Sequence, residues 1–190
     1  MNQRTPSRAL ALVGMPGAGK SLCARHLEAK GYFQYRFGSI VVDEVSRRGL
    51  PLNPENERIV REEFRSKEGM DAIARRALPI LKQALERYRC IVIDGLYSWS
   101  EYKTLSAELE GELIVVAIVS ERALRYGRLG QREERPLTAV EAERRDYQEI
   151  ENLEKGGPIA LADYTLLNNG TPDALLDSLD ALIEALDFRP

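Results

Sequence analysis

The chain has 190 residues, enough for one domain with a substantial core, and its 44% apolar and 30% charged residues exclude disorder and fibrous repeats. Its 27 Lys and Arg against 30 Asp and Glu leave a net charge of -3, which excludes the broad basic footprint of a protein that binds long nucleic acid. The two cysteines, Cys23 and Cys90, form neither a disulfide framework nor a metal-ligand spacing, and no apolar stretch nears the roughly 18 residues of a membrane span, so the sequence reads as a cytoplasmic protein.

The opening stretch, Met1 to Arg8, is polar and lacks the apolar core of a signal or anchor. Ala9 to Val13 reads as a buried strand, followed by a turn from Gly14 to Gly19 and a helix to about Lys30. Tyr32 to Phe37 is expected as a second strand. Three helical patterns follow, Ser39 to Arg48, Pro54 to Lys67 and Met70 to Arg87, before a third strand at Cys90 to Ile93. A helix over Ser98 to Glu108, a fourth strand over Leu113 to Val119, and helices over Glu121 to Leu129 and Thr138 to Glu151 come next. Gly156-Gly157-Pro158 reads as a turn or hinge, Tyr164 to Leu167 as a fifth strand and Pro172 to Leu186 as the last helix. Cys90 to Ile93, Leu113 to Val119 and Tyr164 to Leu167 are continuous rather than alternating runs, as expected when a parallel strand is buried on both faces. Alternation of strand and helix predicts an α/β class with a doubly wound parallel sheet, one domain over residues 1–190. The surplus helices over 38–87 and the arginine-rich segment over 122–146 are placed like substrate-covering insertions.

Gly14-Met15-Pro16-Gly17-Ala18-Gly19-Lys20-Ser21 fits G-x-x-x-x-G-K-[ST] between a strand and a helix, the context a phosphate-binding loop requires. Its glycines let successive backbone N–H groups face one phosphate chain, and the new helix adds its positive end. Lys20 is expected to bridge the β- and γ-phosphates of ATP and Ser21 to ligate Mg²⁺. Asp94 follows the apolar Ile91-Val92-Ile93 at a strand's carboxyl end, where it could hold Mg²⁺, directly or through water, or orient the acceptor. The dinucleotide fingerprint G-x-G-x-x-G does not occur, which argues against a Rossmann dehydrogenase.

Arg122, Arg125, Arg128 and Arg132 are spaced to share one face of a helix, with Glu133, Glu134 and Glu141 near in sequence. The cluster is read as a lid whose guanidiniums close over transferring phosphates, Arg128 and Arg132 foremost, and its Gly127 and Gly130 predict mobility without ligand. The single histidine, His26, is assigned to packing or surface, and Tyr97, Trp99 and Tyr102 to packing rather than base stacking.

The phosphate loop, the Ile-Val-Ile-Asp-Gly strand, the Arg-rich segment through Arg-Pro-Leu-Thr-Ala-Val-Glu-Ala and the late Leu-Ala-Asp-Tyr-Thr-Leu-Leu-Asn-Asn-Gly resemble the P-loop nucleoside-monophosphate-kinase superfamily. More narrowly, the chain is similar to dephospho-CoA-kinase-like, adenylate-kinase-related proteins often labelled AAA-family ATPases. This resemblance implies a five-stranded sheet of order 2-3-1-4-5, a lid around 122–146, an acceptor-binding insertion around 38–87, and adenine contacts near Asn168 and Gly170.

The acceptor side departs from relatives that carry an acid just after the second strand, since here the chain reads Phe37-Gly38-Ser39, with Asp43 and Glu44 a turn later. A hydroxyl acceptor profits from a base there; a phosphate acceptor arrives anionic and needs mainly positioning. Arg36, Arg58, Arg61 and Arg65 are candidates to bind that phosphate. The expectation is an ATP- and Mg²⁺-dependent phosphotransferase acting on a small nucleotide-like acceptor, as a monomer or homodimer. The alternatives are a dephospho-CoA kinase and a regulatory or interaction module that binds ATP with weak ATPase activity.

Overall fold

A computed structural model describes residues 7–109, 112–133 and 135–190. Most of the Met1 to Arg8 stretch, and Glu134 of the arginine segment, lie outside these. In chain order the elements are β1 Arg8–Val13, α1 Lys20–Ala29, β2 Phe33–Arg36, α2 Gly38–Arg47, α3 Pro54–Glu68, α4 Ala72–Arg87, β3 Cys90–Asp94, α5 Trp99–Glu108, β4 Leu113–Val119, α6 Arg122–Gly130, α7 Ala139–Glu151, α8 Gly156–Ala160, β5 Tyr164–Leu167 and α9 Pro172–Ala185.

The strands form one five-stranded sheet of order β2-β3-β1-β4-β5 with every pairing parallel, as expected. Strand period two divides the core between the faces. Ala9, Ala11 and Val13 of β1 join Ile91 and Ile93 of β3 beneath α2 to α5, whereas Leu10 and Leu12 join Val92, Val116 and Ile118 beneath α1 and α9. Leu12 pairs with Asp94 and with Val116, so the carboxyl ends of β1, β3 and β4 finish together, where the loops that could carry a site emerge.

The region 38–87 is not one unit. The eight buried residues of α4 make it the crossover that packs on β3 and α5, and their burial outweighs Pro79, which a helix interior otherwise disfavours. The helices beyond what a crossover needs are α2 and α3. Asn53 caps α3 by accepting from the Asn56 N–H at 2.9 Å, with Pro54 in the first turn where its missing N–H costs nothing.

The turn expected at Gly156-Gly157-Pro158 is instead the five-residue helix α8. Gly-Gly-Pro is turn chemistry by local preference, but here Gly157 lies against the Trp99 indole, where a Cβ would come within 2.7 Å of Cε3. Trp99 stacks on Tyr102 with centroids 5.1 Å apart, so these aromatics do pack elements together, α5 against α8. His26 likewise serves packing, bonded to Asp180 of α9 at 2.9 Å. Both cysteines are buried, and no helix among the described residues is long and apolar enough to cross a membrane.

Candidate active site

The loop from Gly14 to Ser21 leaves β1 and enters α1 as the motif requires. Gly19 at the α1 N-cap has φ 112°, left-handed backbone, and a Cβ there would meet Asn168 Nδ2 at 2.4 Å, so the position is closed to any side chain. Asn168, buried after β5, donates from that Nδ2 to the Ala18 carbonyl at 2.8 Å and thereby holds the loop from behind. Lys20 Nζ folds back to donate to the Gly14 carbonyl at 2.6 Å and the Met15 carbonyl at 3.1 Å. Burial, and then the neighbouring Lys155 charge, lower its pKa from 10.5 to about 7. The ammonium therefore sits where its charge is poorly compensated.

A cavity of about 790 Å³ opens over this loop, lined by Pro16, Gly17, Gly19, Lys20 and Ser21 and, opposite them, by Arg128 and Arg132. Arg128 is oriented by Ser120 Oγ and the Asn168 carbonyl, each accepting at 2.9 Å. Arg132 reaches the same cavity from beyond the end of α6, so the four arginines do not form one helical stripe. Burial, then Arg145, depress its guanidinium pKa. Arg125 is no lid residue at all. It is 7% exposed, pairs with Asp146 of α7 at 3.0 and 2.6 Å, and donates to the Pro16 carbonyl at 3.0 Å, which ties the base of the arginine segment to the loop. Arg122 is exposed.

Asp94 ends β3 beside β1, accepts from Arg36 Nε at 3.3 Å, and raises the Lys20 pKa through its charge without lining the cavity. Gly170 is exposed just before Thr171, the α9 N-cap. Of the residues singled out by sequence, the fold thus gathers Lys20, Ser21, Arg128 and Arg132 around one cavity with Pro16, Gly17 and Gly19. Gly14, Met15, Ala18, Asp94 and Asn168 form its support, with Gly170 outside it.

Sequence reasoning assigns Tyr97 to packing and gives no role to Glu149 or Lys155, yet these residues and Arg145 of the arginine-rich segment also line the cavity. Lys155 is 2% exposed and ion-paired to Glu149, and its ammonium lies 5.0 Å from the centre of the Tyr97 ring. Glu149 also accepts from Arg145 Nε at 3.3 Å. Nothing in spacing marks these residues, because they come from three separate segments that meet only when α8 docks on Trp99.

A second cavity of about 780 Å³ lies between α3 and α7, lined by Arg58, Arg61 and Arg65 on one side and Arg144, Arg145 and Glu149 on the other. Arg145 and Glu149 line both cavities. Arg58 is held by Glu62 at 2.8 Å, and Arg65 lies 3.8 Å from the buried Glu101. Ser39 donates its hydroxyl to the Arg36 carbonyl at 2.6 Å, Asp43 is exposed, and Glu44 is engaged by Arg47 and Arg48, whose hydrogen bonds lower its pKa to about 2.

A glycine-rich loop between the first strand and a helix, with a lysine folded onto it, in a parallel sheet of order 2-3-1-4-5, defines a P-loop protein of the kinase fold. The chain belongs to the AAA-domain family, whose model matches residues 10–152, and it also belongs with the UPF0200 proteins. It is 34% identical over 178 residues to a UPF0200 protein of Thermococcus gammatolerans, covering 92% of this chain and 93% of that one. A UPF0200 protein of Pyrococcus furiosus is 35% identical over 180 residues, 93% of this chain and 96% of its own. Among solved structures the chain is similar to a Thermus thermophilus protein with a TM-score of 0.67 at 17% identity, covering 96% of this chain and 99% of that one. It is also similar to shikimate kinase from Acinetobacter baumannii in complex with shikimate, TM-score 0.55 at 19% identity, covering 95% and 93%. A gluconokinase from Sinorhizobium meliloti gives 0.54 at 17% identity, covering 97% and 98%. These likenesses establish the P-loop kinase fold that the resemblance implied, and the AAA-domain family agrees with the label such proteins often carry.

Proposed function

We propose that the protein is a phosphotransferase that moves the γ-phosphoryl group of ATP to a small anionic, nucleotide-like acceptor. The observation that carries this reading is the pair of cavities meeting at Arg145 and Glu149, one over the phosphate loop and one lined by arginines. A module that only binds ATP has no use for the second. In the first, Lys20, Arg25, Arg128, Arg132, Arg145 and Lys155 face Glu133 and Glu149, an excess of positive charge, with Lys20 only partly protonated near neutrality, that suits a polyanionic phosphate chain. That shikimate kinase and a gluconokinase share the fold agrees with a small-molecule acceptor.

In this reading the loop N–H groups and Lys20 bind the β- and γ-phosphates, and Lys20 exchanges its bonds to the Gly14 and Met15 carbonyls for phosphate oxygens. Arg128 and Arg132 approach from the opposite wall as a lid over 122–146 and exclude water, so that catalysis is chiefly positioning and charge stabilisation. The Ser21 hydroxyl and the Asp94 carboxylate are hard oxygen donors of the kind Mg²⁺ takes together with phosphate oxygens and water, so the residues fit that ion. Mg²⁺ bound with the nucleotide would neutralise charge on the β- and γ-oxygens. Asn168 and Gly170 are proposed near the adenine from the resemblance alone; in this structure the Asn168 side chain holds the loop from behind. The arginine-rich second cavity, with no acid at Ser39, favours an acceptor that is already phosphorylated and needs no strong base. The test is ADP release over a panel of nucleoside monophosphates, nucleosides and dephospho-CoA, with Lys20→Ala as control. Acceptor-dependent turnover is expected with at least one monophosphate; a folded preparation that turns over none of the panel refutes the reading.

A further inference from the structure

Lys155 is a buried charge whose position the fold fixes closely. Glu154 before it takes φ 51°, in the left-handed region, the Lys155 N–H returns to the Glu149 carbonyl at 3.2 Å, and the helix that Lys155 caps is pinned under Trp99 by Gly157. A lysine on a surface turn ordinarily runs its stem outward to water. This one is 2% exposed and turned into the wall of the donor cavity.

Its charge is compensated by Glu149, by the face of Tyr97 at 5.0 Å and, at longer range, by the buried Glu101. A buried ion pair is a weak source of stability, because desolvating two charges offsets their attraction and an apolar pair would fill the space as well. Stability alone therefore gives no reason for the pair to be ionic. Glu149 also holds Arg145 at 3.3 Å, and both residues stand where the two cavities meet. The Lys155 charge is close enough to Lys20 to lower the Lys20 pKa, and both ammonium groups line the same cavity.

We propose that Lys155 is a second phosphate-binding lysine of the donor site, directed at the terminal phosphate of a nucleoside triphosphate, with Glu149 as an exchangeable counter-ion that holds it while the site is empty. The inference deepens the phosphotransferase reading and rests on it. In any transfer geometry the terminal phosphate is the one nearest the acceptor, and the Arg145–Glu149–Lys155 group is the side of the donor cavity that borders the second cavity. An ammonium suits that position because it is a compact point charge with three donors, able to follow a phosphoryl group as it moves, where a planar fork would hold one orientation.

The experiment is titration calorimetry of the full chain with MgATP, MgADP and inorganic tripolyphosphate, on wild type, Lys155→Met, Lys155→Arg, Glu149→Gln and Lys20→Ala. Lys155→Met is expected to weaken MgATP and tripolyphosphate about 10-fold or more, as one charge-assisted bond would, while MgADP changes less than about 2-fold. Glu149→Gln is expected to tighten MgATP several-fold more than MgADP, because the carboxylate that competes with the terminal phosphate for Lys155 is gone; loss of a cavity charge alone would tighten both alike. Equal weakening of MgATP and MgADP, or none, with wild-type binding intact overturns the assignment of Lys155 and leaves the phosphotransferase reading in place. A folded wild type that does not bind MgATP overturns both. Should Lys155→Met fail to fold, Lys155→Arg and Glu149→Gln decide: partial retention of the MgATP preference with MgATP tightened more than MgADP in Glu149→Gln supports the proposal, and equal tightening or weaker binding in Glu149→Gln refutes it.

Discussion

Replacing Lys20 by methionine is expected to make the empty protein more stable near neutral pH. Lys20 has its pKa lowered from 10.5 to about 7 by burial and by Lys155, so below pH 7 the folded state carries a charge that the unfolded state carries more cheaply. At about 1.4 kcal/mol per pH unit the shift bounds this penalty at about 5 kcal/mol, and the partial exposure of the side chain reduces it to about 2 to 3. Removing the ammonium also forfeits its bonds to the Gly14 and Met15 carbonyls, about 1 kcal/mol, which leaves a net gain of about 1 to 2. The sign follows from proton counts. Between pH 7 and pH 10.5 the unfolded chain binds the proton and the folded one does not, so wild-type stability rises with pH over that window and the advantage of Lys20→Met disappears by its upper end. Denaturant titrations at pH 6.5, 8 and 10 measure this, and for a chain of this length the gain at pH 6.5 corresponds to about 2–8 °C in Tm. The same linkage requires MgATP binding to take up about half a proton at pH 7 and about 0.9 at pH 8, read by calorimetry in buffers of different ionisation enthalpy. A Lys20→Met protein less stable than wild type at pH 6.5, with binding heats independent of buffer, refutes the reasoning.

Asp146→Asn breaks a pair whose side chains are 8% and 7% exposed and leaves Arg125 buried without its counter-ion, so a loss of about 3–5 kcal/mol is expected by urea denaturation; a loss below about 1 would place Arg125 outside the support of the loop. Pairing Arg125→Met with Asp146→Leu should recover much of that stability, yet MgATP binding should stay weakened because the Pro16 carbonyl loses its donor. Gly157→Ala forces a Cβ to within 2.7 Å of the Trp99 ring and should cost about 1–3 kcal/mol and reduce tryptophan burial in fluorescence quenching; an unchanged quenching rate would mean α8 yields freely. Limited trypsin digestion should cut first after the exposed Arg132, since Arg122 and Arg128 lie within α6 and Pro136 follows Arg135, and ATP with acceptor should slow that cut; unchanged cleavage argues against a closing lid.

The central strands β1, β3 and β4 were legible because each is a continuous apolar run; β2 and β5, at the sheet edges, are half-buried or exposed, and β4 and β5 nonetheless have the expected bounds. The helix α8 was not legible, since its Gly-Gly-Pro sequence has local turn preference and its helix packs against Trp99, fifty-odd residues earlier in the chain. In the site, the phosphate loop was readable because its chemistry is contiguous: eight residues, one turn, one helix start. The arginines were only half readable. Spacing treats Arg122, Arg125, Arg128 and Arg132 alike, but Arg125 finds Asp146, α6 ends at Gly130 before Arg132, and the partners expected nearby in sequence are not the ones used.

What composition hid most completely is the distribution of charge. A chain of net charge -3 surrounds its principal cavity with six cations and two acids, and like charges facing one another across partly buried space repel. The empty protein answers that repulsion in two ways. Lys20 has its pKa lowered so that it can give up a proton near neutrality, and Glu149 holds Arg145 and Lys155 at once. Both answers are reversible, and both are undone by the same event, the arrival of a polyanion. If the phosphotransferase reading holds, binding energy from a triphosphate is spent partly on recharging Lys20 and freeing Lys155, so affinity in this site should be lower than its charge suggests while discrimination by phosphate charge should be higher.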